Sequence, residues 1–90
     1  MGRTNPTFRD HLRRFEEEWQ RYRRGLRSPH QDHFDELLEK AGQFAAASGY
    51  QNPAHAYQAI LLSMVLAQEI ERAELVERVD ELEERLDDAL

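Results

Sequence analysis

From the eighth position on, apolar residues recur at Phe8, Leu12, Phe15, Trp19, Tyr22 and Leu26. The steps are 4, 3, 4, 3, 4, the spacing of one helical face. At about 100° per residue the six side chains share a stripe about 80° wide. A second amphipathic face follows in Phe34, Leu37, Leu38, Ala41, Phe44 and Ala45, with Gly42 on its polar side or flank. A third segment, "AYQAILLSMVLAQEI", is apolar on most sides, which predicts a helix in the middle of a packed structure. Beyond it Leu75, Val79, Leu82, Leu86 and Ala89 keep a 4-3-4-3 spacing among acids. No segment of comparable strength alternates as a strand would.

The punctuation divides these faces into elements. Pro6, Pro29 and Pro53 each follow a good N-cap residue: Asn5, Ser28 and Asn52. Proline suits the first helical turn, where its missing N–H would be unbonded anyway. Ser28 with Gln31 has the pattern of a capping box. "GLRSP" and "GYQNP" share one plan, in which Gly25 and Gly49 suit the left-handed residue that ends a helix. Three helices are predicted, near 6–24, 29–48 and 53–88. The fold class is all-α: a three-helix bundle over residues 1–74, its third helix occupying 53–74, with an acidic C-terminal coiled-coil extension over 75–90.

Length makes the extension informative. The third helix would run about 54 Å and the first two about 30 Å each. An antiparallel bundle leaves the last 15 or so residues, about 23 Å, without a partner in the same chain. A second chain is expected to cover the seam of Leu75, Val79, Leu82, Leu86 and Ala89, giving a homo-oligomer, with a dimer favoured. With Leu75 at d and Val79 at a, the residue types favour a parallel pair, and Arg78 then faces Glu83 across the interface. Alternatively, the head of one chain covers the tail of another. The sequence does not choose between them.

Charge gives that alternative its sense. The net charge is −6, unevenly spread. Residues 1–27 hold eight arginines against four acids, a net of +4. Residues 28–90 hold fourteen acids against Lys40, Arg72, Arg78 and Arg85, a net of −10. Eleven arginines stand against one lysine, and acid excess with little lysine fits a salt-rich cytoplasm. A GC-rich genome would produce the same lysine scarcity. Cysteine is absent, which excludes disulfides and thiolate chemistry. The longest apolar runs are four residues, against the roughly 20 a membrane helix needs. A cytoplasmic protein without a membrane anchor is expected.

Little catalytic chemistry is written in the chain. There is no Gly-rich phosphate loop, no nucleophile elbow and no Glu-x-x-His pair. His30 and His33 form an H-x-x-H pair without a third ligand at a characteristic spacing, and read as surface residues. The expectation is no enzyme, no metal and no cofactor. The candidate anion-binding residues are Arg9, Arg13, Arg24 and Arg27, which a continuous helix would hold within about 60° of one another. They lie away from the aromatic stripe, whereas a single-strand platform needs rings and cations to converge. A nucleic-acid-associated role is therefore the second reading, after a protein–protein interaction module. Four phosphate contacts would lose about 4,000-fold in affinity between about 0.2 and 2 M salt.

"MGRTNPTFRDHLRRFEEEW", "YRRGLR", "HFDELLEKA" and "ASGY" together resemble a small family of uncharacterised proteins from halophilic archaea. The resemblance runs over residues 1–50 and then loosely to the end. It implies a salt-rich cytoplasm and a stand-alone helical protein, and it brings no functional residues with it.

Overall fold

The computed structural model describes residues 7–90. The expected cap at Asn5 and Pro6 lies outside the described residues. The chain is all-α with a long C-terminal helix. Its elements are α1 (Phe8–Glu18), α2 (Gln20–Gly25), α3 (Ser28–Gly42), α4 (Ala45–Ser48), a 3-10 turn (Pro53–His55) and α5 (Ala56–Ala89).

Helix α1 begins with a reciprocal capping box. The Asp10 N–H donates to Thr7 Oγ1 at 3.2 Å, and the Thr7 N–H donates to Asp10 Oδ2 at 2.9 Å. Asp10 also pairs with Arg13 at 2.9 Å, one residue short of the i,i+4 partner that spacing suggests. The first predicted helix is broken at Trp19, where φ is −104° and ψ 18°. Glu16, Glu17 and Glu18 crowd the end of α1, where the helix dipole disfavours negative charge. Gln20 Nε2 donates to the Glu16 carbonyl at 3.0 Å, so a side chain competes for a helical acceptor at the break.

The caps differ from the sequence pattern in two ways. The Arg27 carbonyl accepts from the His30 and Gln31 N–H groups, at 2.9 and 3.0 Å. Arg27 is thus the cap of α3 and Ser28 lies inside the helix, so the Ser28–Gln31 capping box does not form. The Gln31 side chain donates instead to the Leu26 carbonyl at 3.0 Å. Neither Gly25 nor Gly49 is left-handed: no described glycine has positive φ. The chain leaves α2 through extended Leu26, and Gly49 stays right-handed. At Asn52 the expectation is met, with its Oδ1 accepting from the Ala54 N–H at 2.9 Å.

The core is one cluster. Phe8 and Phe15 of α1 meet Leu38 and Ala41 of α3 and Ile60 and Met64 of α5. Phe15 stands edge-on to Tyr57, with centroids 5.3 Å apart. Buried Gly42, which the pattern set on a polar flank, lies where α1 crosses α3. A Cβ there would sit 3.6 Å from Leu12 and 3.7 Å from Arg9. The aromatic stripe is core only in its first half. Trp19 and Tyr22 are 43 % and 55 % exposed, and they continue from Phe15 as a ladder of rings to Phe34.

In α5 the buried residues Ala56, Ile60, Ser63, Met64 and Ala67 define one face. Burial ends at Ala67, and every residue after it is exposed. The last tie beyond that point joins Lys40 Nζ to Glu71 Oε2 at 2.8 Å. The molecule measures 66 × 33 × 19 Å because α5, about 51 Å long, projects past the rest.

Candidate interaction surface

Two groups of exposed apolar side chains lie on α5. The first is the predicted seam. Leu75, Val79, Leu82 and Leu86 retain 49–63 % exposure, and Ala89 is exposed as well. The second was hidden in the sequence. The segment that reads as central is buried on one face only, and Leu61, Leu62, Val65, Leu66 and Ile70 are exposed. Leu62 and Leu66 line an open groove with Phe44, of about 220 Å³. Leu61 lines a hollow of about 530 Å³ with Arg14, Ala54, Tyr57 and Gln58. Burial pushes the Tyr57 phenol above its ordinary pKa, and neighbouring Glu18 adds to the shift.

The four candidate arginines differ in their surroundings. Arg9 Nη2 donates to the Gly42 carbonyl at 3.5 Å, and Arg13 is paired with Asp10. Both border a hollow that Glu16, Asp35 and Glu39 also line. Arg24 and Arg27 are exposed at the far end, about 22 Å from Arg9 along the helical path, with the break at Trp19 between them. Arg23, which the stripe places beside the rings, has a structural task. Its Nε and Nη2 donate to Asp35 Oδ1 and Oδ2 at 2.8 and 2.7 Å, tying α2 to α3.

That pair has a pH consequence. The hydrogen bonds from Arg23 hold the Asp35 carboxyl below its ordinary pKa. A carboxylate lowered in the folded state stabilises above its unfolded value, about pH 4, and the contribution is lost as pH falls through the lowered value. Asp10 and Glu69 are shifted the same way, by Thr7 and by Arg72. The melting temperature is expected to drop between about pH 5 and pH 2. Asp35→Asn should melt lower at neutral pH with a shallower acid slope. Parallel curves for the two proteins would remove Asp35 from this account.

His30 and His33 stand exposed in the first turns of α3, with His33 Nδ1 3.9 Å from Glu36 Oε2. Among the described residues no three His, Asp or Glu side chains gather as a metal-binding group. Among them too, no helix is long and apolar enough to cross a membrane.

The geometry defines an all-α chain whose long C-terminal helix carries exposed apolar side chains and, among the described residues, packs against nothing along its C-terminal half. The chain belongs to the family described as domain of unknown function (DUF8156), whose model matches residues 1–90. No curated protein and no solved structure matches it.

Proposed function

We propose that this chain is a non-enzymatic interaction module of a salt-rich cytoplasm, a three-helix body whose C-terminal helix pairs as a coiled coil with a second copy. The observation that carries the reading is the seam of Leu75, Val79, Leu82, Leu86 and Ala89, exposed on a helix that nothing among the described residues supports beyond Glu71. Most helical stability in proteins comes from packing an amphipathic face, which this stretch lacks in the single chain. Fully burying a leucine or valine contributes about 1.5–3 kcal/mol, and these side chains have realised roughly half of that. Pairing would supply the rest.

The test is the molar mass in solution by light scattering, at low and at molar salt. The full chain is expected to be a dimer, and a chain ending at Glu74 a folded monomer. All the core residues precede that end point. A full chain that is monomeric at both salts would refute self-association.

A further inference from the structure

The exposed half of the all-round apolar segment extends the seam and gives it a direction. Stepping back by sevens from Leu75 and Val79 leads to Gln68 and Arg72, and then to Leu61 and Val65. The structure leaves Leu61 52 % and Val65 59 % exposed. At about 100° per residue Leu61, Val65, Leu75, Val79, Leu82 and Leu86 share a stripe about 100° wide. It drifts about 20° per heptad, as a left-handed pair of helices requires. Two apolar blocks thus flank one polar step, Gln68 and Arg72. The stripe runs past α1 and over the hollow lined by Arg14, Ala54, Tyr57, Gln58 and Leu61.

We infer that the second copy lies antiparallel, in the register that sets Leu75 against the partner's Val65 and Val79 against the partner's Leu61. The inference rests on the self-association reading above and adds the orientation. Three observations carry it.

The first is the polar step. In this register Arg72 meets the partner's Gln68, a cation beside a neutral acceptor. A parallel pair would instead bring Arg72 against the partner's Arg72. A shift of one heptad would press Arg72 or Gln68 against leucine or valine.

The second is the hollow of about 530 Å³. The same register brings Leu82 to the partner's Gln58 and Leu86 to the partner's Ala54, both of which line it. A parallel pair would instead seat Leu82 and Leu86 on their own copies and leave the hollow open.

The third is charge. Residues 74–90 carry eight acids against Arg78 and Arg85, a net of −6. In this register an antiparallel pair lays this tail beside the partner's residues 50–66, which hold no Asp, Glu, Lys or Arg. A parallel pair lays −6 beside −6. Glu69 and Glu71 approach the dyad from both chains, and each already holds a cation: Arg72 at 2.6 Å and Lys40 at 2.8 Å.

The chain has no cysteine, so disulfide mapping is clean. Leu61→Cys and Val79→Cys are made separately and oxidised alone and as an equimolar mixture. A disulfide needs Cα atoms within about 7 Å. In the inferred pair, Cys at 79 stands about 27 Å from the same position of the other chain, 18 residues along the helix. The mixed 61–79 disulfide is expected to predominate in the mixture, with no homodisulfide from either variant alone. Val65→Cys with Leu75→Cys repeats the test at a second layer, and light scattering of the reduced proteins reports their assembly. A ready Val79→Cys homodisulfide would overturn the orientation and leave self-association standing. A reduced dimer that links in no combination would overturn the register. Reduced variants and wild type that are all monomeric would remove this inference and the reading beneath it together.

Discussion

Replacing Ile60 by alanine is expected to lower the free energy of unfolding by about 2–5 kcal/mol. Ile60 has no solvent exposure and belongs to the cluster that joins α1, α3 and α5. Its neighbours along the buried face of α5 include Ala56 and Ala67, too short to fill a void. The loss therefore has two parts, the transfer of the deleted methyl groups and the cavity left behind. Domains of this size begin with roughly 5–15 kcal/mol, so the variant would stand near the edge of folding. Urea unfolding followed by circular dichroism measures the effect. The midpoint should fall with little change in slope. A loss under about 1 kcal/mol would mean that the cluster closes over the gap.

The double replacement of Leu75 and Leu82 by glutamate is expected to weaken self-association at least about a hundredfold, because four carboxylates, two from each chain, would have to leave water at every pairing. Both side chains are more than half exposed in the single chain, so the core stays intact. Sedimentation equilibrium gives the dissociation constant, and the tryptophan signal at Trp19 reports that the body is still folded. An unchanged dimer would move the interface elsewhere on the molecule, with the groove beside Phe44, Leu62 and Leu66 the next surface to probe.

The all-α class and the long C-terminal helix were legible in spacing and punctuation, whereas the helices expected over 6–24 and 29–48 are each interrupted, at Trp19 and at Gln43–Phe44. The finer errors have physical causes. The stripe from Phe8 to Leu26 holds its phase, but only as far as Phe15 does an opposing core exist to bury it. Trp19 and Tyr22 run on past that core, beside Phe34. Gly42 falls on a polar flank of a helix that continues through Phe44 and Ala45, whereas α3 stops at Gly42. What matters at that position is the missing side chain under Leu12 and Arg9, a fact of the crossing helix. Ser28 looked like a cap because the true boundary lies one residue earlier.

The candidate surface was half legible. Leu75 to Ala89 stand out because acids surround them. Leu61 and Val65 sit in a run so apolar that no face can be singled out by period, and only the position of α1 and α3 tells which sides are covered. The arginines followed the reverse course. Their period shows a shared face, but not that Arg9 reaches the Gly42 carbonyl or that Arg13 pairs with Asp10.

The early end of burial in α5 has one more consequence. Past Glu71 the helix is held by its own hydrogen bonds and by whatever a second molecule adds. Under the proposed pairing its order is set by mass action, because a dimer's stability cannot be separated from protomer concentration. Backbone amides from Leu75 onward should exchange with solvent quickly in dilute solution and slowly in concentrated solution, while those around Ile60 change far less. The projecting half of α5 would in this way read the abundance of its own protein.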